Sequence, residues 1–367
     1  MAQKGLHGFL QDRQEIATGK RTEFHCTGGI MKTLVTGGSG CVGSALVERL
    51  TSKGYEVRAL VRKTSDISHL KTTGAELVYG DVQDYESLPP ALNGVDIVFH
   101  AAAKVTPGWG TWEEFATTTV KGTENLLKAS AEAKVRRFLQ VSSYTVYEPS
   151  CRKGETPVDE SAPCAVTLGP QTYYDYAKLL AEQACWEYHK EGKIQVSMIR
   201  IGSAYGPRDR LIADRIYRYV SFPIVLWPGK VNPRYAVVHS SDVADLAILA
   251  ATTEKAIGQA YNAAPPEPVR LKSFADAMIK AMGGPRIRGT MPYSVAYVWC
   301  CLMEGIAKLR RVKEMPFLNR YSIEIMQTEC CLNGSKARAE LGWEPKVSID
   351  EGTRLYVEWR RAHDRRK

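Results

Sequence analysis

The chain has 367 residues, room for one large domain or a large one with a smaller companion, and its 44% apolar and 24% charged content is ordinary for a globular protein. Its net charge of +9 comes from 49 basic residues interspersed with 40 acidic ones, which excludes a domain-wide basic stripe for nucleic acid, and no apolar run is long enough to cross a bilayer. Nine cysteines include adjacent pairs at 300–301 and 330–331 but no C-x-x-C and no metal-ligand spacing, a pattern that speaks for reduced thiols in the cytoplasm.

Residues 1–30 show neither periodicity nor an apolar leader core, and Asp12, Glu15 and Glu23 argue against a transit peptide. Met31 stands directly before the first strand, so the folded unit is expected to begin near it, with 1–30 as a loose extension. An apolar run then ends at Thr36, and Gly37, Gly40 and Gly43 follow, with Val42, Leu46 and Leu50 already on a helical period. This is a strand, a tight turn and a helix N-terminus. Glycines let the backbone approach a pyrophosphate, and the unpaired amides of the helix aim at its oxygens. The stretch is the T-G-x-x-G-x-x-G form of the dinucleotide fingerprint, in which Gly37, Gly40, Cys41, Val42 and Gly43 line the phosphates. Cys41 reads as packing between strand and helix rather than as a reactive thiol.

Strands are expected next at 55–61, 75–79, 95–99 and 137–141, with a long helix over 112–132 between the last two. That alternation implies βαβ units and an α/β fold with a doubly wound parallel sheet. An acidic residue at the end of the second strand would bind the ribose hydroxyls of NAD. This chain has Arg62-Lys63-Thr64-Ser65 there instead, and Arg62 offers a planar fork to a 2′-phosphate. NADP is therefore favoured, with NAD as the alternative.

The fifth strand ends in Val141-Ser142-Ser143-Tyr144, and Tyr174-Asp175-Tyr176-Ala177-Lys178 opens a later helix. Tyr174 and Lys178 are one turn apart and share a face, the only Tyr-x-x-x-Lys among eighteen tyrosines. An ammonium beside a phenol favours the phenolate, so the tyrosine's pKa is expected to fall toward working pH. Ser143, at the carboxyl end of a parallel strand, could hydrogen-bond a substrate oxygen, and Lys178 could hold the nicotinamide ribose. Hydride would pass between the nicotinamide and the substrate carbon while Tyr174 gives or takes the hydroxyl proton.

From Met31 onward the chain resembles the extended short-chain dehydrogenases/reductases of the NAD-dependent epimerase/dehydratase type. The resemblance rests on TGGSGCVG at 36–43, GDV at 80–82, HAAA at 100–103, VSSYTVY at 141–147, YDYAK at 174–178 and RIGSAYGPRD at 200–209. It implies a Rossmann sheet followed by a smaller, irregular C-terminal substrate lobe. Residues 31–200, with returning segments around 235–262, would bind the cofactor, and 201–367 would be mostly substrate lobe. It implies catalytic roles for Ser143, Tyr174 and Lys178. It also places Asp81 and Val82 near the adenine, Ala101, Ala102 and Ala103 along the cofactor, and two copies together as a homodimer. One departure stands out: members often carry Asn before the Val-x-Gly-Thr of the long helix, where this chain has Thr119.

Trp109, Tyr144, Tyr205 and His239 are the candidate substrate contacts. For His239, which ends a short strand at 236–239, a structural role is the plainer reading. Tyr205–Arg208 reads as a loop over the cofactor, and 335–354 as packing. Residues 293–309 are apolar on most faces and closed by Arg310-Arg311. Similar segments occur in the 3β-hydroxysteroid dehydrogenase and dihydroflavonol reductase-like branch. Three readings stay open for this segment: lobe core, roof of a greasy pocket, or peripheral contact with a membrane. The expectation is an NADP-dependent oxidoreductase interconverting a secondary alcohol and a ketone on a hydrophobic or amphipathic small molecule. A nucleotide-sugar epimerase or dehydratase is the alternative. A cofactor-sensing or RNA-binding protein on the same fold fits less well, because a sensor needs no proton relay.

Overall fold

The computed structural model describes residues 30–364 apart from 107–108, 153–155, 285, 313–315 and 318. The expected 1–30 extension, Ile30 excepted, lies outside the described residues. The apolar run before the glycines forms β1 (Lys32–Thr36), buried from Thr33 onward. It is an interior strand of a seven-stranded sheet with β2 (Glu56–Val61), β3 (Glu76–Tyr79), β4 (Ile97–His100), β5 (Arg137–Ser143), β6 (Gln195–Ile201) and β7 (Ala260–Ala263). The order is β7-β6-β5-β4-β1-β2-β3, with every neighbour parallel. Strand order reverses between β1 and β4, so a crevice opens there at the carboxyl ends of the strands. Thr36, the last residue of β1, lies opposite Leu60 on one side and His100 on the other. Strands buried on both faces must be apolar almost throughout, which is why they read as continuous runs.

The helices are α1 (Cys41–Ser52), α2 (Gly122–Glu132), α3 (Tyr173–Lys190), α4 (Ile212–Val220), α5 (Ser240–Thr252), α6 (Leu271–Met282), α7 (Tyr293–Leu309) and α8 (Ile349–Asp364), with shorter pieces between. One face of the sheet packs Leu46 and Leu50 of α1 with Leu246 and Ala250 of α5. The other packs Leu126 of α2 and Cys185 of α3 against Phe138 and Val196. Each fully buried leucine among these contributes about 1.5–3 kcal/mol. The segment at 335–354 packs here too. Trp343 Nε1 donates to the Asp242 carbonyl at 2.9 Å, and the Asp242 carboxylate accepts the amides of Lys346 and Val347, both at 3.0 Å.

Two elements differ from expectation. β5 runs to Ser143 rather than Val141, because Ser142 and Ser143 still pair with Arg200 and Ile201 of β6. The long helix at 112–132 is interrupted: Trp112–Phe115 leads into a wider π-helical stretch, Ala116–Lys121, before α2. The Thr117 hydroxyl donates back to the Glu113 carbonyl at 2.7 Å within this threonine-rich run, a habit that bends helices.

Beyond β6 the chain makes short pairings, 203–205 with 237–239, 234–235 with 269–270, and 225–228 with 287–291. These strands, α4, α6 and α8 enclose a separate apolar cluster that includes Tyr147, Tyr205, Trp227, Phe274 and Tyr356.

Candidate active site

The crevice starts at the glycine turn. Gly37 takes φ +71°, and a Cβ on it would stand 2.7 Å from the Ala101 carbonyl carbon and the Ala102 nitrogen. A Cβ on Gly43 would stand 2.1 Å from the Gly37 carbonyl oxygen. The first glycine lets β1 lie against the HAAA segment, and the last lets α1 close onto the turn. Gly40 donates to the Gly37 carbonyl at 2.9 Å and is the N-cap of α1, with no side-chain cap and no acidic residue in the first turn. The first amides of α1 are therefore left for an anion. Burial and the nearby Asp209 push the Cys41 thiol far up, away from the thiolate that a reactive cysteine needs. Val42 beside it is half-buried.

Arg62 follows the last residue of β2 and is exposed; its carbonyl accepts the Ser65 amide at 2.9 Å in a tight turn. Asp81 is half-buried and its carboxylate accepts the Gln83 amide at 3.0 Å. Val82 is buried against Gly122, and its carbonyl accepts from Asn125 Nδ2 at 3.0 Å. Ala101, Ala102 and Ala103 are half-buried along the crevice wall. Glycines that a methyl would fill, an uncapped helix N-terminus and an exposed guanidinium beyond β2 together fit a dinucleotide. Gly37, Gly40, Val42 and Gly43 would hold its pyrophosphate, and Arg62 would lie at the adenosine end.

At the other end, the Ser143 hydroxyl faces the Tyr174 hydroxyl and favours its ionisation. Ser143 Oγ also accepts from the Thr145 amide at 3.3 Å and the Thr145 hydroxyl at 3.1 Å, which fixes its rotamer. Lys178 is buried and donates from Nζ to the Val141 carbonyl at 2.8 Å. This corrects the expected electrostatics. The ammonium is committed to β5, and the phenol of Tyr174 is pushed up to about 12 by burial, helped by Asp175 and opposed by Ser143. Lys178 itself is drawn down to about 8 by burial, against the pull of Glu182 one turn further along α3.

Several residues of this end were not among the expected site residues, although His100, Tyr147 and Arg200 stand inside the motifs. His100 is wholly buried, with Nδ1 2.7 Å from Thr36 Oγ1 and Nε2 3.0 Å from Thr123 Oγ1. The Thr123 hydroxyl donates to the Thr119 carbonyl at 2.6 Å, so it accepts from the ring, and Nε2 carries the hydrogen. Nδ1 then accepts from Thr36, whose oxygen accepts the Ala102 amide at 3.2 Å. The chain of bonds requires a neutral imidazole, and burial with Lys178 nearby lowers its pKa to about 3. Thr119, at the position where Asn was expected, is buried and accepts the Lys104 amide at 3.1 Å. Beneath Lys178, Glu182 and Arg200 form a buried bidentate pair at 3.1 and 2.8 Å, and Arg200 also donates to the Tyr147 hydroxyl at 3.1 Å. The four-residue step from Lys178 to Glu182 was the available signal for that pair.

The lobe side of the site is aromatic and charged. Tyr144 lies close to Tyr235 and Cys330, and burial raises its phenol well above the ordinary range. Arg152 stands 5.9 Å from the Tyr144 ring and 3.5 Å from the carboxylate of Asp175, whose pKa burial raises to about 6. Tyr321 feels the charges of Arg215, Asp175 and Tyr174, with the Arg215 guanidinium 5.4 Å from its ring. Trp112 packs on Tyr173 and Tyr176, at ring distances of 6.0 and 5.5 Å, and so flanks the turn bearing Tyr174.

Three expected substrate contacts are placed differently from Tyr144. Tyr205 is fully buried between His239 and Phe274, its hydroxyl directed to the Ser348 carbonyl, which makes it a core residue. His239 caps α5 through Ser241, with Nδ1 2.8 Å from its hydroxyl, the structural role its strand-end position suggested. Trp109 is half-buried, and its carbonyl accepts from the Thr106 hydroxyl at 2.8 Å. The 205–208 loop lies along α1, where Arg208, at φ +67°, donates to Ser44 Oγ at 2.7 Å.

The model of the NAD dependent epimerase/dehydratase family matches residues 33–264, more than half of the chain and the whole crevice. The chain belongs to that family. It is an NAD(P)-dependent oxidoreductase of the extended short-chain dehydrogenase/reductase type. Over 322 residues, 88% of this chain and 94% of the other, it is 29% identical to a 4-hydroxy-2-methyl-3-oxo-4-farnesyl-3,4-dihydroquinoline-1-oxide ketoreductase of Stigmatella aurantiaca. Over 324 residues, 87% of this chain and 97% of the other, it is 26% identical to a decarboxylating sterol-4-alpha-carboxylate 3-dehydrogenase of Dictyostelium discoideum. In fold it is similar to the UDP-glucose 4-epimerase of Thermotoga maritima, with TM-score 0.71 and 22% identity, covering 91% of this chain and 99% of that one. The two relatives are named as a ketoreductase and a dehydrogenase, and the likeness to the epimerase is one of fold.

Proposed function

We propose that this oxidoreductase uses NADP to interconvert a secondary alcohol and a ketone on a hydrophobic or amphipathic small molecule. The observation that carries the reading is the Ser143 hydroxyl set beside the Tyr174 phenol at the carboxyl end of β5, with Lys178 buried one turn along α3. The exposed Arg62 at the end of β2 supports NADP, because a guanidinium there attracts a 2′-phosphate and a carboxylate would repel it. Relatives named for a farnesylated quinoline and a sterol support an apolar substrate.

When bound, the nicotinamide supplies or accepts the hydride. Ser143, oriented by Thr145, donates to the substrate oxygen and holds the carbonyl carbon toward the crevice. Tyr174, protonated at neutral pH because burial raises its pKa, gives its proton to that oxygen as the carbon–oxygen π bond becomes a hydroxyl. Ser143 then steadies the phenolate until solvent returns a proton. In the opposite direction Tyr174 takes the hydroxyl proton as its phenolate, a form that the same burial makes scarce at neutral pH.

The test follows NADPH absorbance with sterol ketones, β-keto acids and aldehydes, with UDP-glucose as control. Net consumption is expected with an apolar ketone and none with the sugar. Tyr174→Phe should cut turnover about 10²–10⁴-fold and leave NADPH affinity unchanged, whereas Arg62→Asp should turn the preference toward NADH. Interconversion of the sugar without net NADPH use, or full turnover in Tyr174→Phe, would overturn the proposal.

A further inference from the structure

α7 is packed inside out. The side it buries consists of Ala296, Cys300, Glu304 and Ala307. The side it exposes carries Val295, Val298, Trp299, Leu302, Ile306 and Leu309, between 45% and 84% exposed. At about 100° per residue, those side chains fall within an arc about 100° wide. A large apolar stripe in water is uncommon on a protein that works alone and marks a surface meant to be covered. The stripe also answers a question the sequence left open, since the large residues neither fill the lobe core nor line a pocket beneath the helix.

The charges around the stripe say what covers it. Glu304, the only acidic residue of α7, is buried and paired with Arg320 at 2.9 Å. Lys308, Arg310 and Arg311 are exposed at the end of the helix, and Arg286 and Arg288 are exposed on the approach to it. An apolar face bordered by cations and by no exposed acid of its own helix is complementary to anionic lipid headgroups above acyl chains. Trp299, with an apolar ring and a polar N–H, suits that boundary. Among the described residues no helix is long and apolar enough to cross a membrane, so the helix would lie in the interface plane. A second copy fits poorly: a stable protein interface takes about 20–30 residues a side, far more than one face of one helix offers, and its basic border would meet like charge.

We propose that the Val295–Leu309 face of α7 docks on an anionic bilayer, its large apolar side chains at the acyl boundary and Lys308, Arg310 and Arg311 on the headgroups. The docking does not depend on the reaction proposed above.

The full chain is sedimented with phosphatidylcholine vesicles prepared with and without phosphatidylserine. Co-sedimentation is expected with the anionic vesicles and should weaken as salt rises. The triple variant Val298→Ser, Trp299→Gln, Leu302→Gln should bind them about tenfold less or weaker still. Arg310→Glu with Arg311→Glu should lose a similar factor on anionic vesicles alone. Both variants change exposed residues, so unchanged melting temperature and NADPH binding confirm that they are folded. Three results would overturn the proposal: wild type left in the supernatant with both vesicles, undiminished binding by the folded triple variant, or a wild-type dimer that the triple variant dissociates.

Discussion

The two ends of the crevice are built on different physics. At the glycine turn the backbone does the work. Gly37 and Gly43 meet neighbouring backbone atoms closer than any side chain allows, and α1 begins without a cap. At the Tyr174 end the work falls to side chains withdrawn from water: His100, Lys178, Glu182 and Arg200 are all buried. The first end is limited by space and the second by charge. The glycine end should therefore reject one methyl group yet be insensitive to pH. The tyrosine end should tolerate changes of shape better than changes of ionisation.

The sharpest break of that contrast is Gly43→Ala. Its Cβ would stand 2.1 Å from a backbone carbonyl that β1 and α1 both fix, so one of them must move. A loss above about 4 kcal/mol in urea unfolding is expected, and NADPH quenching should vanish in whatever remains folded. Gly38→Ala, five residues away, is the control. Its Cβ would meet Ala59 and Val47 at 3.6 Å, ordinary contact, so a change within about 1 kcal/mol is expected. Equal losses at the two positions would mean that the turn is not sterically set.

Glu182→Gln probes the other end with almost no change of shape. It leaves the buried Arg200 guanidinium without its bidentate partner, and removing one member of a buried pair costs about 3–5 kcal/mol. Because Glu182 also supports the Lys178 ammonium, the variant should lose that proton at lower pH. In the wild type, kcat/KM is expected to bend near pH 8, where Lys178 titrates, and in Glu182→Gln the bend should move down. A destabilised variant with an unmoved bend would make Glu182 a purely structural residue.

The same contrast explains what could be read from the sequence. The glycine turn, the alternation of strands and helices, and Tyr174 with Lys178 are local signals, and the crevice follows from them. Thr36, His100 and Thr123 lie on three elements, and their shared network exists only once β1, β4 and α2 are assembled. The expected acid shift of Tyr174 failed for a related reason. Helical spacing puts Lys178 on the right face, but only the packed structure shows its Nζ turned to Val141 and the phenol shielded from water. Tyr205 was misassigned because its motif is conspicuous while its burial between Phe274 and His239 depends on α6 and α5. In α7, the sequence supplied residues apolar on most faces, but which side faces the lobe is set by the small residues Ala296, Cys300 and Ala307.

The smallest effect, and the most selective, concerns His100. Its folded pKa of about 3 lies below the ordinary 6.5, so the neutral ring contributes stability that is present above pH 6.5 and is lost as pH falls toward 3. The loss should approach about 1.4 kcal/mol per pH unit. Asp175 and Asp209 work in the opposite sense, since burial raises both to about 6 and their contribution is lost as pH rises through that value. The wild-type profile alone therefore hides the histidine. His100→Gln retains both carboxylates and removes the titrating ring, so the stability gap between the two proteins isolates it. The variant should be the less stable at pH 7, where the Thr36–His100–Thr123 bonds are intact, and the gap should narrow steadily between pH 6 and pH 4.5. Urea midpoints measured across that range decide the matter: a gap that stays constant would mean that His100 gains its proton inside the fold as readily as outside it, and that the tyrosine end is less sensitive to charge than its burial implies.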